Sequence, residues 1–402
     1  MTAGPRERPE PVDRFAPGTG SGLSATLRPV IARVEERAGE GLEALILSGS
    51  HATGEAVWAD VDGRRVSLSD VDLYAVMADA RSATAASARM REAPLASRLE
   101  RLAWGLSAPI ELAFVTLAGL ARMPARPATV ELSRSALVLA GDAGVPARLP
   151  RWEPADISAE ERLLLLENRS FELLWARLAR SRVRLAAHHA VLKTALDLAA
   201  ARTLARGELP APAAERVARA REWGAPAATP AWLDGAWERL PALWTEALAW
   251  RADGARPVGE AAHDEAWRSA VRAWCAVWWA EGASVTRAED PWTRACALAA
   301  RGSLARRVRR SLATGSRRGA PGLAHRLRHA AAGTPALRIH GTGALLLLAA
   351  AQPAEDLRLP PAALRALRAL SVTAEQTFDG AAREAFGAWD RLQGGERAAE
   401  LP

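Results

Sequence analysis

Three short apolar runs near the start of the chain, each with polar residues gathered at one end, most restrict what it can fold into. Leu42 to Leu47 runs into Ser48-Gly49-Ser50, Val71 to Met77 follows Asp70 and contains Asp72, and Ile110 to Val115 contains Glu111. Runs of this length bounded by turn residues predict buried strands. Leu27, Val30, Ile31 and Val34 recur at helical spacing, which predicts an amphipathic helix over Leu23 to Arg37. Ala83 to Gly105 reads as a second helix, and Val130 to Leu139 as a fourth strand ending at Gly141-Asp142. Val61-Asp62-Gly63-Arg64, flanked by Trp58 and Val66, carries a hairpin signal.

Past the Pro/Arg-rich residues 146–154 the pattern changes. Ser158 is placed to cap a helix, with Glu161 three residues on completing a capping box. From there Ala, Leu, Arg and Glu dominate, and almost nothing alternates like a strand. Breaks fall near Gly207–Pro212, Gly224–Pro230, Gly254–Gly259, Gly315–Gly322 and Pro353–Pro361. The expected organisation is a flexible tail over residues 1–21, an α/β domain over 22–150 and an all-α region over 151–402. The last is divisible into a 151–225 helical bundle and a 226–402 subdomain.

With 49% hydrophobic residues the chain has the material for a core, which excludes global disorder. The formal charge of +7 is weaker evidence for nucleic acid than it looks. Lys193 is the one lysine among 53 basic residues, so arginine fills routine surface positions, as the coding bias of a GC-rich bacterial genome would have it. Cys275 and Cys296 lie in helical sequence without metal-ligand spacing, and read as reduced core residues. The polar N-terminus has no apolar signal segment, and the longest apolar run, Ala344 to Ala351, is too short to cross a bilayer. A soluble cytoplasmic protein without a membrane partner is expected.

The acidic residues of the first domain carry the chemistry. Asp70 and Asp72 are two apart, so their side chains leave the same face while Val71, Leu73 and Ala75 turn to the core. Adjacent carboxylates repel unless a cation sits between them. Glu111 interrupts an apolar strand, where a buried unpaired charge would be costly, so it should serve as a third ligand. Oxygen ligands of this kind suit magnesium. Gly49-Ser50, at a strand-to-helix turn, lets backbone N–H groups and a hydroxyl approach a phosphate. His51, next to it, reads as a turn or surface residue with a smaller claim on nucleotide.

LILSGSHATGE, SLSDVDLYAVM and PIELAFV, in that order, resemble the polymerase-β-like nucleotidyltransferase superfamily. Within it the likeness is to bacterial nucleotidyltransferase-domain proteins of the kind that includes antibiotic adenylyltransferases. VLAGD at 138–142 is similar to the segment that often ends such a domain. The resemblance covers residues 23–142, with a weaker echo in the helical region. It implies a mixed small sheet flanked by helices, two Mg2+ ions held by Asp70 and Asp72 with Glu111 on one of them, and triphosphate on Gly49 and Ser50. Lys193 could reach that triphosphate from the helical region, as in related two-domain enzymes; the plainer reading is a surface pair with Asp197. One departure is the long interval between Ser50 and Asp70, which fits the Asp62-Gly63 hairpin and bears on the shape of the nucleotide pocket.

The implied activity moves a nucleoside monophosphate, AMP in the first instance, from an NTP (ATP) to an unidentified acceptor hydroxyl or phosphate, releasing pyrophosphate. Asp70, Asp72 and Glu111 are its catalytic residues. Two alternatives stand beside it. One is an inactive nucleotidyltransferase-like scaffold that binds nucleotide or a partner. The other is a HEPN-type, RNA-acting, toxin–antitoxin-like protein built on the Arg184-x4-His189 spacing. Elsewhere, Glu167-Asn168-Arg169 reads as capping or helix–helix polar contacts, with a substrate contact as the alternative. The tryptophans from Trp232 to Trp279 read as helix-packing core, and Arg301 to Arg328 as a solvated basic face.

Overall fold

The computed structural model describes residues 20–92, 95–225, 229–303, 305, 308, 333–352, 357–370, 372–373, 375–393 and 401. Of the expected tail, residues 1–19 lie outside the described residues, as do most of Arg301 to Arg328 and the breaks at Gly315–Gly322 and 353–356. Contacts divide the chain into two units, Met1–Ile157 with Ala249–Arg256, and Ser158–Leu248 with Pro257–Pro402.

In the first unit, α1 (Gly20–Ala38) buries Leu27, Val30 and Val34, the stripe its spacing predicts. It leads to β1 (Leu42–Ser48) and the single-turn α2 (Gly49–Thr53). The hairpin of β2 (Trp58–Val61) and β3 (Arg64–Ser67) follows. Asp62 at φ 50° and Gly63 at φ 73° make the left-handed two-residue turn that matches strand twist. β4 (Val71–Met77) comes next, then α3 (Ala80–Glu92) and α4 (Arg98–Ala103). The single helix expected over Ala83 to Gly105 is thus two. Pro94 lacks the N–H a continuous helix needs, and Ser97 opens α4 with a reciprocal capping box to Glu100.

β5 (Ile110–Val115) is followed by α5 (Leu117–Leu120), α6 (Pro127–Ser135) and β6 (Leu137–Gly141). Most of the fourth strand expected from Val130 is therefore helix. Pro127 occupies the first turn and the Thr129 hydroxyl accepts the Arg126 N–H, a start signal that outweighs the β-branched Val130.

The sheet order is β5-β4-β1-β6, with β4 parallel to β5 and β1 antiparallel to both β4 and β6. This is the mixed small sheet with flanking helices that the sequence implies. One face, with Leu45, Leu47, Leu73, Ala75 and Met77, packs on Val30, Val34 and Ala86 from α1 and α3. The other face carries Ala44, Ile46, Tyr74 and Val76, and α6 packs against β1 and α2.

Every regular element among the described residues of the second unit is a helix. Its helices are α7 (Ala159–Leu204), α8 (Ala213–Glu222), most of α9 (Leu240–Asp253), α10 (Glu260–Gly282), α11 (Pro291–Ala299), α12 (Pro335–Ala350), α13 (Pro361–Leu370) and α14 (Phe378–Gln393). The Ser158 hydroxyl accepts the Glu161 N–H at the start of α7, and a non-helical Val183 (φ −137°, ψ 51°) kinks its middle. Two α10 tryptophans stitch it to α7. Trp267 Nε1 donates to the Leu173 carbonyl and Trp274 Nε1 to that of Leu166, each at 2.7 Å, so the helices run antiparallel. Trp244 of α9 does the same to Ala195. These tryptophans, with Trp278, are fully buried and form the helix-packing core that their spacing predicts. Cys275 is buried and Cys296 half-buried, both as free thiols. No described helix is long and apolar enough to cross a membrane.

Candidate active site

Strand register gathers the acids. Ser48 of β1 is paired with Asp72 of β4, and Asp72 with Glu111 of β5. The three residues therefore form one row across three neighbouring strands, spaced by roughly 4.8 Å per strand. They lie at one end of the sheet because β1 runs antiparallel to β4 and finishes where β4 and β5 begin. Asp70 stands immediately before β4, and Val71, Leu73 and Ala75 are buried on the opposite face as the alternation predicts.

Gly49 closes the row. Its φ of +67° is a left-handed conformation, and a Cβ there would overlap the Asp72 carboxylate. Only glycine lets the backbone of the turn lie against that acid. Ser50 follows in the first turn of α2, half-exposed.

Two expectations about this site are corrected. Glu111 is exposed rather than buried in its strand, because the row ends at the solvent-facing margin of the sheet. Burial cost is therefore not what accounts for it. His51 is buried, not a surface residue. Its Nε2 lies 3.1 Å from Ser67 Oγ and 3.3 Å from the Ser69 carbonyl, to which it donates. Burial pulls its pKa below the ordinary value, partly offset by the Ser69 carbonyl and by the charge of Asp70. The Ser67 hydroxyl donates to the Ser69 carbonyl, and the Ser69 hydroxyl accepts the Val57 N–H at 2.9 Å. His51 and these serines fix the loop that delivers Asp70. The serines of SLSD were the available sequence signal; the burial of His51 had none.

Tyr74, the single tyrosine, sits two residues beyond Asp72 on the same face. Burial raises its phenol to about 12, helped by the negative charges of Asp72, Glu111 and Glu131 and opposed by Arg126. The phenol thus stays protonated beside a concentration of carboxylates. Sequence reasoning does not single out Tyr74, although β4 and its alternation are legible; Glu131 is hidden because α6 reads as strand.

The donor set at this end of the sheet is all oxygen, the chemistry magnesium prefers. It is not a formed ligand cage. Among the described residues, no group of three or more His, Cys, Asp or Glu side chains is arranged to hold a metal ion.

Lys193 belongs to the helical unit, on α7. The Asp197 carboxylate expected beside it pairs with Arg169 at 2.5 Å. Glu167 forms a buried bidentate ion pair with Arg301, both contacts 2.7 Å, and Asn168 Oδ1 accepts from Trp389 Nε1 at 3.3 Å. These are polar contacts within the helical unit, from α7 to α14 and to the residues just after α11. Arg184 lies 3.6 Å from Glu260 while His189 is buried in the helical unit, so the two do not line one exposed groove.

Comparisons of the chain with protein-family models, with curated proteins and with solved structures find no match.

Proposed function

We propose that the first unit catalyses nucleotidyl transfer, moving AMP from ATP to an acceptor hydroxyl or phosphate with release of pyrophosphate. The observation that carries this reading is the row of Ser48, Asp72 and Glu111 closed by Gly49, with Asp70 delivered beside it. In this reading the Gly49-Ser50 backbone and the Ser50 hydroxyl hold the triphosphate. Asp70, Asp72 and Glu111 would supply the oxygens that hold Mg2+. The bound ions would neutralise the phosphates and stabilise the leaving pyrophosphate. In the same reading Glu111, which is exposed, would help take the acceptor proton.

The second reading is a nucleotide-binding scaffold without turnover. It is favoured by the lack of a formed three-carboxylate cage among the described residues. Calorimetry with MgATP separates the two when combined with turnover. Under the catalytic reading MgATP binds, EDTA weakens binding, and Asp70→Asn with Asp72→Asn removes the metal dependence. Binding that is indifferent to metal and to both substitutions would favour the scaffold.

A further inference from the structure

The hairpin and the segment Ala249–Arg256, both within the first unit, enclose a cleft of about 340 Å3. His51, Trp58, Asp60, Arg65, Arg251 and Asp253 line it. The wall is built rather than incidental. Ala255 N–H donates to the Trp58 carbonyl at 2.7 Å, Ala59 and Ala255 form a parallel bridge, and Arg251 is ion-paired with Glu55 at 2.5 Å. His51 lies in the same helical turn as Ser50, so the cleft opens within one turn of the proposed phosphate-binding residues.

Its chemistry differs from that of a phosphate site. Arg65 and Arg251 are balanced by Asp60 and Asp253, and Arg251 is already held by Glu55, so there is no surplus of positive charge for a triphosphate. What it offers is an aromatic platform. The half-buried Trp58 indole is braced on edge by His51, with ring centroids 5.8 Å apart at 89°. The Arg65 guanidinium sits 5.4 Å from the indole centroid on an exposed side chain that can lift away. A planar heterocycle stacked there gains both aromatic and cation–π contact. Asp60, exposed at the rim, can accept from an exocyclic amino group. The volume suits one nucleoside.

We infer that this cleft seats the amino-bearing purine base of the donor nucleotide, an inference that rests on the nucleotidyl-transfer reading. The hairpin between Ser50 and Asp70 is then the element that selects the base.

Three probes test it by calorimetry on the full chain: MgATP, adenosine and magnesium tripolyphosphate. Trp58→Ala is expected to weaken MgATP and adenosine about tenfold while leaving tripolyphosphate within about twofold. Trp58→Phe, which keeps an aromatic face and guards against misfolding, should retain most of the affinity. Arg65→Ala should weaken the two base-bearing probes only. Unchanged MgATP and adenosine affinity in Trp58→Ala would overturn the inference and leave the functional reading standing. Equal weakening of tripolyphosphate would also overturn it, because the effect would then be structural. If the native protein binds neither MgATP nor tripolyphosphate, the functional reading fails and takes the base site with it.

Discussion

Gly49 answers two demands at one position, a left-handed φ of +67° and close approach of the backbone to the Asp72 carboxylate. Either alone favours glycine; together they tie the fold of the turn to the acid beside it. Gly49→Ala is expected to cost about 2 kcal/mol in urea unfolding, from backbone strain. Its larger effect falls on function, because Asp72 must move to make room. MgATP affinity should drop even in variant protein that is fully folded. A variant with native stability and native affinity would show that Asp72 does not lean on this turn. The pair was legible in the sequence as a small-residue turn after an apolar run. Its contact with Asp72 was not, because strand register is set by distant residues.

Among the elements, the packing of α7, α9 and α10 encloses an unusual group. His263 on α10 is fully buried, its ring 5.7 Å from that of His188 on α7, and His188 Nε2 lies 2.8 Å from Glu246 on α9. Asp264 and Arg180 complete the charged surroundings. Burial, then the neighbouring His188, pulls the His263 pKa down to about 4 from an ordinary 6.5. The unfolded chain therefore takes up this proton first as pH falls. The stability tied to neutral His263 is complete above 6.5 and declines as pH drops from 6.5 toward 4, by ~3 kcal/mol in total. Urea titrations between pH 7.5 and 4.5 should show native protein losing more stability than His263→Leu across that window. Parallel curves would remove His263 from the account.

Other elements were readable to different degrees. β1, β4, β5 and the Asp62-Gly63 hairpin follow from apolar runs and turn residues, and they form where expected. α6 was misread because Val130 and Leu132 flank Glu131 in a strand-like alternation, while the helix start depends on Pro127 and Thr129. The heptad stitching of Trp267 and Trp274 onto Leu173 and Leu166 could not be read at all. It requires knowing which two helices meet and in which direction.

At the scale of the whole molecule, the change at residue 150 was visible because strand-like runs stop there and helix formers take over. The return of Ala249–Arg256 to the first unit was not visible. That segment lies at the end of a helical stretch; Ala255 N–H donates to the Trp58 carbonyl of the hairpin, and Arg251 pairs with Glu55 just before it. It matters because it supplies one wall of the cleft beside Gly49 and Ser50. The sheet-end acids and the cleft, on which the proposed reading rests, both belong to the first unit. The most direct measurement incubates the full chain with α-labelled ATP, Mg2+ and a pool of metabolites and cell extract, and follows the label. The account predicts transfer of labelled AMP to an acceptor, with pyrophosphate released, abolished by EDTA and by Asp70→Asn with Asp72→Asn. Transfer that persists in the doubly substituted protein would contradict it.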